Sequence, residues 1–137
     1  MTVQIILDDG AIMPTKAHAA DAGYDLHALR GGIVGPAGQD FDTGVHVAIP
    51  DGCVGRVVGR SGLNFRDGIT CFDGTIDPGY TGSIHVKLYA HAGPRNIRAG
   101  DRIAQLLIQR VEQAEMVQVD DLPESERGTD GFGSTGD

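Results

Sequence analysis

Ser83-Ile84-His85-Val86-Lys87-Leu88 alternates polar and apolar side chains at every step. Period two marks a strand with one buried and one wet face, whereas a helix would scatter these aliphatics around its surface. Val45-His46-Val47-Ala48-Ile49 carries the same alternation. Working outward, Val3 to Leu7, Gly55 to Val58, Ile69 to Phe72, Arg102 to Val111 and Met116 to Val119 read as further short strands. Pro50-Asp51-Gly52, Asp77-Pro78-Gly79 and Arg98-Ala99-Gly100 supply turns between them. No stretch of about twelve residues is amphipathic at helical spacing and no fixed repeat recurs, which disfavours bundles, βαβ folds and solenoids. The expected fold is all-β, a sandwich or barrel.

A chain of 137 residues fits one domain and buries enough surface to need no disulfide or structural metal. Charged residues at 22% and hydrophobic ones at 40% exclude a disordered or membrane-spanning chain. The opening Met1-Thr2-Val3-Gln4 lacks the basic region of a signal peptide. The protein is therefore expected to stay in the cytoplasm, or in the nucleus of a eukaryotic or infected cell. Eleven basic against nineteen acidic residues give a net charge of -8, the wrong sign for a nucleic-acid binder. Nine of the eleven basic residues are Arg, the side chain suited to forked contacts with a small anion. Cys53 and Cys71 have no metal-ligand spacing and read as buried thiols in a reducing compartment.

Three short constellations carry possible chemistry. Arg60-Ser61-Gly62 sets a guanidinium, a hydroxyl and an unhindered N–H within one turn, a small anion site. Asp77-Pro78-Gly79-Tyr80 reads as a type II turn joining two strands in a hairpin. Its Asp is placed to accept a proton from water, and its Tyr offers a flat ring to a sugar. Asp21 and Asp25 flank Gly23 and suit Mg2+, which takes one or two carboxylates plus phosphate oxygens and water. The five His show no metal spacing and are assigned to solvent or strand faces, except His85, which follows the Asp77 turn closely. From Asp120 onward only Leu122 and Phe132 are large and apolar, so residues 1–119 form the barrel and 120–137 a flexible arm. The arm ends in Arg127-Gly-Thr-Asp-Gly-Phe-Gly-Ser-Thr-Gly136, a run able to aim N–H groups and hydroxyls at phosphate.

Taken in order, Asp21-Ala-Gly-Tyr-Asp-Leu26, Arg60-Ser-Gly-Leu63, Gly74-Thr-Ile-Asp-Pro-Gly-Tyr-Thr-Gly82, Arg102-Ile-Ala-Gln-Leu106 and the arm motif closely resemble the five motifs of the homotrimeric dUTPases. The match runs from about residue 10 to the end. The resemblance implies a jelly-roll-like β-barrel of the β-clip kind, a homotrimer with sites at subunit boundaries, and hydrolysis of dUTP to dUMP and diphosphate. This reaction keeps uracil out of DNA and supplies dUMP for dTTP synthesis. It further implies Asp77 as general base and Mg2+ as cofactor, held by Asp25 through water. Arg60, Ser61, Gly62 and Gln105 would contact phosphate, and Arg102 would be a structural ion-pair residue beneath the site. Tyr80 would stack on deoxyribose. The stretch from Cys71 to His85, including Gly74, Thr75 and Ile76, would read uracil. Phe132 would cover the base, while Arg127, Gly133, Ser134 and Thr135 close over the outer phosphates. Neither nucleic acid nor membrane is an expected partner.

Cys71 stands six residues before the implied base, where the family usually places Asn, and Asp130 adds negative charge to the arm. The related dCTP deaminases need a Glu on the strand after the Asp77 turn, where this chain has Lys87. A nucleotide-sensing interaction protein on the same fold is a second alternative, and a purely structural β-domain, which would leave the Gly-rich arm without a purpose, is a third. Retained nucleotide binding without turnover is the signature of the second.

Overall fold

The computed structural model describes residues 1–134 and 136. In chain order the strands are β1 (Gln4–Leu7), β2 (Tyr24–His27), β3 (Gly32–Val34), β4 (Gln39–Asp42), β5 (Val45–Ala48) and β6 (Cys53–Val58). After the helix α1 (Ser61–Asp67) come β7 (Ile69–Cys71), β8 (Gly74–Ile76), β9 (His85–Ala90), β10 (Arg95–Ile97) and β11 (Arg102–Arg110). They form a four-stranded sheet β2-β11-β6-β8, a three-stranded sheet β4-β9-β7, and the pairs β1-β5 and β10-β3. Every pairing is antiparallel. The result is the all-β fold that the alternating segments predict, in the jelly-roll-like form that the family resemblance implies.

Alternation places the core. On β9, Val86, Leu88 and Ala90 are buried while His85 and Lys87 face water. On β6, Cys53, Gly55 and Val57 point inward. They join Leu26, Val34, Val45, Ile84 and Ile103, all essentially inaccessible, each aliphatic worth about 1.5–3 kcal/mol on burial. No helix of the described residues is long and apolar enough to cross a membrane.

Four expectations need correction. No strand forms at Met116–Val119: β11 ends at Arg110, and the last backbone bond that follows it is the Val111 N–H to the Gly52 carbonyl. Met116, Val117 and Val119 stay exposed. Arg60-Ser61-Gly62 is not a plain turn. It opens α1, which buries only Leu63 and stops at Gly68 in the left-handed region, too short to show a helical period. The Asp77 turn does not close a hairpin, since β8 pairs with β6 and β9 with β4 and β7. The ladder that closes is β7 on β9, with Cys71 opposite Leu88, and β8 is an excursion within it. Finally, Cys53 is buried but Cys71 only partly so, and both thiols are free.

Candidate active site

A bulge in β11 builds the first half of the site. Arg102 lies opposite His27 and Gln105 opposite Asp25, with one extra residue between them on β11. Residues three apart on a regular strand face opposite ways, so the bulge lets Arg102 and Gln105 share the face that carries Asp25. Val58, opposite Gln105 on β6, continues that row, and Arg60 follows two residues later. Asp25 is 8% exposed and is gripped from both sides. Arg60 Nε stands 3.3 Å from its Oδ1 and Arg102 Nη1 stands 3.5 Å from its Oδ2. Arg60 Nη1 also donates to the Arg102 carbonyl at 3.4 Å. His27 sits beside this cluster, and its pKa is lowered by burial, opposed by Asp25 and reinforced by Arg102 and Arg60. Arg60 and Arg102 further line a cavity of about 320 Å³ with Arg66 and Arg95, where Asp67 and Asp101 supply counter-charge. Positive charge is thus concentrated locally in an acidic chain. Ser61 and Gly62 are exposed at the start of α1.

Asp21 does not join Asp25. Its carboxylate accepts the His18 N–H at 2.9 Å and closes a local turn.

The second half lies on the excursion between β7 and β9. The Tyr80 N–H donates to the Asp77 carbonyl at 3.2 Å, and Gly79 takes φ +88, which a side chain would resist. Asp77 is exposed, and among the described residues its carboxylate makes no hydrogen bond or ion pair. Tyr80 Oη donates to the Ser83 carbonyl at 2.9 Å, fixing the ring. Gly74, Thr75, Ile76, Tyr80 and His85 line one cavity of about 310 Å³. His85 Nδ1 is 2.9 Å from Asp40 Oδ2 on β4. The cavity also takes Phe72 and Ser83, which lie inside the expected Cys71–His85 stretch, and Asp40 and Lys87, which sequence reading missed as wall residues. Asp40 had no local signal, because it reaches His85 only through the β4–β9 register. Cys71 is not in the wall. Its Sγ donates to the Phe72 carbonyl at 3.3 Å, and burial first, then Asp73, pushes the thiol up to about 11.

The arm touches neither half through a hydrogen bond or ion pair among the described residues. Arg127 Nε donates to the Asp130 carbonyl at 2.8 Å, and the Gly131 N–H donates to Ser134 Oγ at 2.7 Å. Phe132 has φ 53 and is wholly exposed, an unfavourable pairing for an aromatic residue that covers nothing within its own chain. Gly133 lies in the second turn, and Thr135 falls outside the described residues.

Asp25, Arg60, Arg102 and Gln105 therefore assemble on one sheet face, and Thr75, Ile76, Tyr80 and His85 around one cavity. Among the described residues no side-chain hydrogen bond or ion pair joins these two groups to each other or to the arm, although β8 pairs with β6. No described group of three His, Cys, Asp or Glu side chains is arranged to hold a metal ion. Asp25 nevertheless fits water-mediated Mg2+, since each of its oxygens stands in an ion pair with one arginine and retains acceptor sites for a metal-bound water.

The dUTPase family model matches residues 9–136. The chain is 46% identical over 135 residues to the deoxyuridine 5'-triphosphate nucleotidohydrolase of Corynebacterium efficiens, covering 95% of this chain and 75% of that one. It is 48% identical over 141 residues to the enzyme of that name from a Mycobacterium species, covering 95% and 91%. The solved dUTPase of Staphylococcus bacteriophage 80alpha with dUPNHPP superimposes with a TM-score of 0.89 at 32% identity, over 98% of both chains. A dUTPase from phage phi11 of S. aureus, described with a structural Mg(II) ion, matches with a TM-score of 0.81 at 27% identity, over 88% of this chain and 98% of that one. With matching sequence, matching fold and the five motifs on the elements described, this chain belongs to the dUTPase family.

Proposed function

We propose that this chain is a dUTP nucleotidohydrolase, converting dUTP and water to dUMP and diphosphate, and that it works as a homotrimer in the cytoplasm. The observation that carries the reading is the Asp77 carboxylate, exposed on a glycine-closed turn beside the Tyr80 cavity. Asp77 takes a proton from water, whose oxygen forms a bond to the α-phosphorus as the bridging oxygen leaves with diphosphate. Tyr80 supports the deoxyribose, and its ring leaves no room for a 2′-hydroxyl. Backbone groups of the β7–β9 excursion, beside Thr75 and Ile76, read uracil, and a wrong base leaves them unpaired. Arg60, Ser61, Gly62 and Gln105 hold the phosphate chain, with Arg102 bracing Asp25 from below.

Asp25 would hold Mg2+ through water, and the ion, bound with the triphosphate, would neutralise its charge. In the homotrimer that the family resemblance implies, neighbouring copies bring the two half-sites and the arm together. Phe132 then covers the base while Arg127, Gly133, Ser134 and Thr135 close over the phosphates.

The test is diphosphate release from dUTP, with dCTP, dTTP and UTP in parallel, in Mg2+ and after chelation. Release from dUTP alone, reduced by chelation, is expected. Release from dCTP or UTP at a similar rate overturns the specificity, and no release from any nucleotide overturns the function.

A further inference from the structure

His46 lies on the wet face of β5 between buried Val45 and Val47. Its Nδ1 is 2.8 Å from the Thr81 carbonyl oxygen, and its Nε2 is 3.0 Å from Asp8 Oδ1. A carbonyl oxygen and an ionised carboxylate only accept hydrogen bonds, whereas a neutral imidazole carries a single N–H. Both contacts hold together only if both ring nitrogens carry protons. A neutral ring keeps one bond and turns a lone pair toward the other acceptor.

Thr81 directly follows Tyr80 and stands four residues after Asp77. The segment is tied down again at Ser83, whose Oγ donates to Asp42 on β4. His46 is thus the side chain that joins the end of β1, through Asp8, to the middle of the segment presenting Asp77 and Tyr80. We propose that His46 is a positioning residue for the hydrolytic reaction: as an imidazolium it clamps the Thr81 carbonyl, and on losing its proton it loosens the segment that presents Asp77.

The surroundings favour the charged form. The Thr81 carbonyl foremost, then Asp8 and Asp42, raise the His46 pKa above its ordinary 6.5 against a small opposing effect of burial. The other neighbouring side chains, Gln4, Ile5, Ile6 and Val47, carry no charge. Asp42 keeps its own charge, since bonds from Ser83 and Gly44 outweigh its burial, and His85 Nε2 lies 3.9 Å from its other oxygen. The sign follows: the clamp is complete below about pH 6.5 and is lost as pH rises through the raised pKa of His46.

The kinetic part of the test rests on the proposed function, while the spectroscopic part does not. In the full-length protein, both His46 ring nitrogens should read as protonated in 15N spectra at pH 6, and the Thr81 carbonyl 13C shift should move with the same midpoint. A singly protonated ring at pH 6, or a Thr81 shift that ignores the titration, overturns the clamp even if no nucleotide is hydrolysed. With dUTP, kcat should fall roughly threefold across that midpoint with little change in KM, the scale of one partly exposed charged contact. His46→Gln should be slower throughout and lose this step, and Asp8→Asn should move it to lower pH. His46→Arg, a permanent forked cation, should restore kcat and remove the alkaline fall. Titration of the substrate phosphates is common to all variants and cancels in the comparison. A step that survives in His46→Gln, or Arg failing to rescue, overturns the proposal.

Discussion

Asp25 and Asp77 are two carboxylates of one proposed site in opposite circumstances. Asp25 is nearly buried, on a strand in the middle of a sheet edge, with an arginine on each oxygen. Asp77 is exposed on a turn, where its carboxylate makes no bond among the described residues. A carboxylate so gripped is a fixed charge that orients what approaches it. A carboxylate left unbonded retains the acceptor sites that a reacting water needs.

That contrast breaks most sharply at Asp77. Asp77→Asn should lower kcat about a thousandfold, within the range for removal of a general base, with dUTP binding and the melting midpoint retained. Full turnover in this variant sinks the mechanism. Removing residues 127–137 should cost about a hundredfold in turnover, a loss of positioning, without lowering the melting temperature, because the described part of that segment is exposed. Asp25→Asn should do what Asp77→Asn does not and destabilise the fold, by about 2 kcal/mol, since Arg60 and Arg102 would lose the nearly buried carboxylate that stands between them. An unchanged melting curve would show the arginine grip to be idle. Cys71→Ser should have the smallest effect, shifting kcat/KM for dUTP less than about threefold, because the thiol bonds the neighbouring Phe72 carbonyl and lies outside the cavity wall.

The same thiol gives a pH signature. Its pKa rises from 9.0 to about 11 on folding, so the native state keeps a proton that the unfolded chain releases. Stability from this group is intact below about pH 9 and declines as pH rises toward 11. Alkylation of native Cys71 at pH 8 should run about a hundredfold slower than that of an unfolded thiol, and equal rates would refute the burial assigned to it.

The sequence was readable where one face of a strand is buried. Val45, Val47, Val86 and Leu88 announced β5 and β9 because each alternates with polar neighbours. Strands β4 and β10 escaped because each buries a single side chain, Phe41 or Ile97, too few to display a period. Helix α1 escaped for the same reason. Met116–Val119 shows the converse, since apolar, strand-like residues that pair with no neighbour make no strand within the chain. Five ordered motifs made the site legible as a set of residues, but not as a geometry. Nothing local announces that a bulge aligns Arg102 with Gln105, that β8 leaves its hairpin to join β6, or that Asp40 meets His85 across two strands.

The tip of the arm is not a featureless thread. Arg127 to Asp130 and Gly131 to Ser134 each form a hydrogen-bonded turn within the arm itself. Ordering a residue's backbone costs roughly 1–2 kcal/mol of conformational entropy, and eight consecutive positions have already met part of that cost. The proposed closure over a nucleotide would then resemble the docking of two small preformed turns, with Phe132 as the face they present. Engineering the arm for tighter grip should accordingly begin by stiffening the segment between Val111 and Glu126, where no such turns exist before Ser125.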